Sequence, residues 1–342
     1  MKFMKTYLSA LPLALCLYSC AKTNQDQLPT STDRNPQTEA INYRQEMRNF
    51  VIGISKYAKG ISPGFAIIPQ NGPELLTTDG QEDGPLATAY IAAIDGIGRE
   101  NLLYGYDYKN DVRTPEEDIL YMQAFCDRVK ATKKVLVTDY CHTPKNVDSS
   151  YVQNNRKGYI SFASPTREMD KIPAYPAKPY AENNANINTL MQAKNFLYLI
   201  NPEKYTNKQA FISEISRTNY DVLLMDLYFN DKHIAFTAAE IDQLKHKANG
   251  GKRLVICYLS IGQVEKYRYY WQPNWKTGNP VFVGPVDPHW KGNLYCQYWN
   301  ADWQSIIYGK DDSYLKKILD AHFDGAYLDI IDAYDHYENP SK

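Results

Sequence analysis

Eight short apolar runs of strand length, separated by stretches of helical periodicity, constrain the fold of this chain more than any other feature. "FAIIPQNG" (65–72), "YIAAIDGIGRE" (90–100), "KVLVTDYCH" (134–142) and "GYISFASP" (158–165) occupy the first half. "NFLYLIN" (195–201), "YDVLLMDL" (220–227), "RLVICYLSIG" (253–262) and "FDGAYLDII" (323–331) occupy the second. Continuous apolar runs mark strands covered on both faces, and such strands are parallel. Between them, "YRQEMRNFVIGISKYAKG" brings Met47, Phe50, Val51, Ile54 and Tyr57 to one helical face, with Gly60 as its stop. Residues 114–131 read as a helix with Thr114 as N-cap and Pro115 first, and 237–248 and 313–321 as two more. The pattern predicts an α/β chain folded as a (β/α)8 TIM barrel over residues 42–342, with the doubly wound open sheet as competitor. Residues 166–193, rich in Pro, Asn and Ala and without a period, read as a linker or long surface loop.

The amino terminus has the character of a targeting segment. Lys2 and Lys5 precede an apolar run from Leu8 to Leu17, and residues 1–19 read as a signal peptide. "LYSC" resembles the bacterial lipobox, which makes Cys20 the expected lipidation site. Residues 20–41 are then a polar tether to a membrane of the cell envelope. The alternative is an ordinary signal peptide that leaves Cys20 unmodified. Of the remaining cysteines, Cys126, Cys141, Cys257 and Cys296, none has CxxC spacing, so neither a disulfide framework nor a zinc site is expected. Cys257 lies inside an apolar run and reads as a core residue.

Charge excludes other classes. With 38 basic against 39 acidic residues, no field of one sign argues for nucleic acid. "DGIGRE" lacks GxGxxG spacing and "GGKR" lacks the first glycine and the hydroxyl of a P-loop, so no nucleotide cofactor is expected. His142 has no partner at metal-ligand spacing and reads as a loop residue. What remains is carboxylate chemistry. Polar groups close most of the strands: Gln70 and Asn71, Asp95 and Glu100, Asp139 and Tyr140, Asp226, Gln263 and Glu265, Asp329 and Asp332. In a barrel these converge at the carboxyl-terminal mouth. Glycoside hydrolysis needs two carboxyl groups and little else. All five tryptophans lie between Trp271 and Trp303, in a segment that either walls a carbohydrate cleft or packs as a lid.

"YLSIGQVEKYRYYW", "GNLYCQYWNADWQSII", "FDGAYLDIIDAY", "FAIIPQNG" and "AIDGIGRENLLYG" together resemble the endo-α-1,4-polygalactosaminidase family of glycoside hydrolases, TIM barrels that act on extracellular polysaccharide. The resemblance implies that Asp329 and Glu100 are the catalytic carboxylates, Asp329 as nucleophile and Glu100 as acid/base or the reverse. It further implies substrate contacts at the mouth from Asp226, Tyr258, Gln263, Glu265, Arg268, Trp271, Trp299, Asp332, Gln70, Asn71, Asp95 and Asp139. Two departures stand out. The segments occur in swapped order, as in a circular permutation with 166–193 joining the original ends. Gln263 also stands where the family has glutamate, which keeps a second reading open, a glycan-binding lipoprotein on a weakened barrel.

Overall fold

The computed structural model describes residues 41–340, so the expectations for the signal segment, Cys20 and most of the tether lie outside the described residues. Eleven strands follow in chain order: β1 (Ala66–Pro69), β2 (Gly96–Glu100), β3 (Lys134–Tyr140), β4 (Ile160–Ser164), β5 (Leu197–Tyr198), β6 (Val222–Met225), β7 (Leu254–Ser260), β8 (Gln263–Glu265), β9 (Val283–Val286), β10 (Asn293–Cys296) and β11 (Gly325–Asp329). Eight of them are the expected parallel strands. They form a five-stranded ladder, β1-β11-β7-β6-β5, and a three-stranded ladder, β2-β3-β4.

One sheet therefore joins the two ends of the sequence. β11 pairs with β1 in register Ala66↔Gly325 to Pro69↔Leu328, and on its other side with β7. The ladders meet at a parallel bridge between Gln70 and Gly98. At the other joint the ring of Phe162 on β4 lies 5.8 Å from that of Phe196, next to β5. β3 and β7 are buried along their whole length, which matches strands with a helical layer outside and side chains packed inside. Gly98 makes one of the inner contacts possible: a Cβ there would lie 2.0 Å from the Tyr327 hydroxyl.

Helix Tyr43–Ile61 buries Met47, Phe50, Val51 and Ile54 as the periodicity predicts, but it runs through Gly60 to a cap at Ser62. Two other expectations shift. Residues 90–100 are not one strand: Thr88–Ala93 is a helical turn and only Gly96–Glu100 is extended, since a short apolar run fits either state. Thr114 does not cap the next helix, because its hydroxyl donates to the Asn101 carbonyl; the helix starts at Glu116. Residues 166–193 are loop apart from one helical turn at Leu190–Gln192, and hydrogen bonds hold that loop to its neighbours. Ile187 N–H donates to Lys252 O at 3.0 Å, Ile200 N–H to Met169 O at 3.0 Å, and the buried Lys247 ammonium to Asn183 O at 2.9 Å. The aromatic segment after β7 is a small antiparallel sheet, β8-β10-β9, followed by helix Ala301–Ile307. Among the described residues, Cys126, Cys141, Cys257 and Cys296 are buried free thiols.

Candidate active site

The strand ends open into a cleft of about 900 Å³. At its floor, three neighbouring strands carry the central groups: Asp329 ends β11, Gln70 follows β1, and Glu100 ends β2. In each case the next residue turns the chain away through left-handed backbone: Ile330 at φ 58°, Asn71 at 64° and Asn101 at 54°. Asparagine tolerates this conformation; a β-branched isoleucine does so only under strain. The turn after Asp329 is also crowded from below, because a Cβ on Gly262 would come within 1.9 Å of the Ile330 carbonyl oxygen.

Glu100 accepts three side-chain hydrogen bonds. Gln70 Nε2 donates to Oε2 at 2.6 Å, Asn71 Nδ2 donates to the same oxygen at 3.1 Å, and the Tyr140 hydroxyl donates to Oε1. Gln70 is itself oriented, since its Oε1 accepts from the Tyr198 hydroxyl at 3.1 Å. Asp329 is poorer in donors and accepts from the Tyr258 hydroxyl at 2.6 Å. Burial, reinforced by the facing Glu100 charge, pushes the Asp329 carboxyl up to about 8. Burial also lifts Asp332 to about 6, with Arg99 opposing the rise. Burial holds Tyr140 and Tyr258 protonated, as hydrogen-bond donors, far above the ordinary phenol range.

A second network stands beside this pair. Arg268 Nη1 donates to Asp226 at 2.6 Å and Nε to Glu265 at 2.6 Å, and the Tyr314 hydroxyl accepts from Nη1 at 2.9 Å. Burial works against the Arg268 charge, but Asp226 and Glu265 overcome it and keep the guanidinium protonated. All three line the cleft, as do Gln70, Asn71, Glu100, Tyr258, Asp329 and Asp332. Carboxylates outnumber lysines and arginines in its lining.

Five residues expected at this site lie elsewhere. Asp95 begins β2 instead of ending it; its carboxylate accepts Ile67 N–H at 2.8 Å at the opposite end of the strand from Glu100. Asp139 is wholly buried on the far face of β3, where it accepts from Leu103 N–H, Tyr104 N–H, the Ser150 hydroxyl and Asn154. Gln263 is buried with its amide engaged on both sides, donating to Asp287 at 2.5 Å and accepting from Asn293 at 2.9 Å. Trp271 packs against Trp275 at 5.5 Å, and Trp299 against Tyr337 at 4.7 Å and Tyr43 at 5.0 Å. Sequence reasoning passed over Tyr198 and Arg167, and named Tyr140 only as a strand end. Thr138 pairs with Glu100, so Tyr140 shares its face and Asp139 does not, a distinction that the register between β2 and β3 makes.

Residues 177–342 match the model of glycoside-hydrolase family GH114. An uncharacterized protein of Methanocaldococcus jannaschii is 34% identical over 159 residues, 46% of this chain and 42% of its own length. One from Deinococcus radiodurans is 34% identical over 131 residues, 38% and 39% of the two chains. One from Thermotoga maritima is 29% identical over 153 residues, 45% of each. The chain thus spans less than half the length of these relatives. The family match includes Asp226, Glu265, Arg268, Asp329 and Asp332 and supports a glycoside hydrolase; Glu100 and the Gln70–Asn71 pair lie outside it.

Proposed function

We propose that this chain, which resembles glycoside-hydrolase family GH114 across its carboxyl-terminal half, is a hydrolase that cleaves an extracellular polysaccharide with Asp329 and Glu100. The observation that carries the reading is the asymmetry of the two carboxyl groups. Asp329, raised to about 8, holds a proton at neutral pH and serves as general acid to the leaving oxygen. Glu100, ringed by the donors of Gln70, Asn71 and Tyr140, is the acceptor and acts as base or nucleophile. This is the reverse of the assignment with Asp329 as nucleophile. An acid-lined cleft favours a cationic sugar chain, and a polymer containing α-1,4-linked galactosamine fits that charge. Gln263, engaged with Asp287 and Asn293, no longer argues for a barrel that only binds.

The eight parallel strands close as a (β/α)8 barrel, with β1 against β2 and β4 against β5 as the two joints, in circularly permuted order. The protein is anchored in the cell envelope through a lipid on Cys20. Supporting the anchor are the lipobox-like "LYSC" and the polar stretch behind it. No helix among the described residues is long and apolar enough to cross a membrane.

Reducing-end release from α-1,4-linked galactosamine polymer tests the chemistry. Glu100→Gln and Asp329→Asn should each lower turnover by about 10³-fold with folding intact. Wild-type activity should fall as pH rises through about 8. Activity that instead climbs through that pH would restore Asp329 as the nucleophile, and full turnover in either variant would end the two-carboxylate reading.

A further inference from the structure

We propose that an aromatic rim built from Trp290 and Tyr267, and continued across the mouth by Tyr108, is a stacking subsite for pyranose rings of the polymer beyond the bond that is cleaved. The inference rests on the hydrolase reading and adds to it where the rest of the chain is held.

The tryptophans divide into two kinds. Trp303 is fully buried with its indole N–H donated to Ile261 O, and Trp271, Trp275 and Trp299 pack against other rings. Trp290 is 49% exposed and lines the cleft. One exposed aromatic means little by itself, so its surroundings decide. Lys266 N–H donates to Gly292 O at 2.9 Å, and the position of a Cβ on Gly292 lies 3.6 Å from the Tyr267 ring. The turn that carries Trp290 thus abuts Tyr267, which is 45% exposed and also lines the cleft. Tyr267 is fixed from behind, with its hydroxyl donated to Glu265 at 2.7 Å and its ring 5.3 Å from the Arg268 guanidinium.

The rim then crosses the mouth. His289, next to Trp290, stacks on Tyr108 at 6.1 Å and 12°. Tyr108 belongs to the loop after β2, is 61% exposed, and is backed by the Arg167 guanidinium at 5.2 Å. Tyr267 and Tyr108 are thus held from behind, beside the exposed Trp290, along the edge of a polar, acid-floored cleft. A pyranose ring is the matching partner: its C–H face packs on a π face while its hydroxyls and amines meet the carboxylates below.

Binding is measured in the Glu100→Gln background, using α-1,4-linked galactosamine oligosaccharides of graded length and intrinsic tryptophan fluorescence or calorimetry. Adding Trp290→Ala should weaken the longer oligosaccharides by about five- to tenfold and the disaccharide least. Trp290→Phe should recover most of the loss, and in the active enzyme Trp290→Ala should raise KM on polymer more than it lowers kcat. Equal affinity at every length, with or without Trp290, would overturn the subsite while leaving the hydrolase reading in place. If the Glu100→Gln protein bound no length and the wild type cleaved none, the hydrolase reading would fall and the subsite with it.

Discussion

Three strands carry a carboxylate at each end, five residues apart: Asp95 and Glu100 on β2, Asp221 and Asp226 around β6, Asp324 and Asp329 on β11. The two sets live differently. Those at the strand starts accept backbone N–H groups of neighbouring segments, Asp95 from Ile67, Asp221 from Lys194 and Asp324 from Val255, each at 2.8 Å. Each also meets a lysine at 2.9 Å: Lys59, Lys247 and Lys245 respectively. Those at the strand ends are held chiefly by side chains that face the cleft: Tyr140, Gln70 and Asn71 on Glu100, Tyr258 on Asp329, Arg268 on Asp226. One set joins strands through main-chain donors. In the other, burial raises Asp226 and Asp329, and the neighbouring carboxylates Glu265 and Glu100 add to the rise, a state that costs stability and suits proton transfer.

The strongest challenge to this contrast is at Asp221, whose ion pair with Lys247 is fully buried. Asp221→Ala leaves an ammonium unpaired in the interior and should cost about 3–5 kcal/mol in denaturant unfolding, with turnover by the remaining folded protein near wild type. A stable Asp221→Ala variant that had lost activity would erase the distinction between the ends.

The opposite sign is expected at Asp329. Its folded carboxyl binds a proton more tightly than in the unfolded chain, so its contribution is full below about pH 4 and is lost as pH rises through about 8. Asp329→Asn should therefore stabilise the fold at pH 8, by as much as about 5 kcal/mol, and by little at pH 4, read as the difference between thermal unfolding curves at the two values. Destabilisation at pH 8 would show that Asp329 serves the fold as the starting carboxylates do.

The smallest effect is at Asp95. Its pair with Lys59 is partly exposed, so Asp95→Ala should cost about 1 kcal/mol, mainly through the lost acceptor for Ile67, with KM and kcat unaltered. A changed pH profile of activity in this variant would mean that Asp95 reaches Glu100 after all.

Much of this was legible in the residues. The eight apolar runs gave eight parallel strands, and the Tyr43 helix buries the face its spacing predicts. The left-handed turns at Asn71 and Asn101 suit their residue type, whereas nothing local favours an isoleucine at Ile330. The site was harder. Asp95 and Asp139 look no different from Glu100 in composition, and β3 is buried throughout, so its apolar pattern does not tell the inner face from the outer.

Strand and helix content, the parallel class and the reservoir of carboxylates follow from periodicity and residue type over a few turns of chain. Which carboxylates share the cleft, which tryptophan lines it, and that Gln263 is engaged by Asp287 and Asn293 are settled by the folded chain. Those outcomes depend on strand direction, on register between segments as far apart as Ala66 and Gly325, and on desolvation at one end of the sheet, quantities that no local stretch of residues carries.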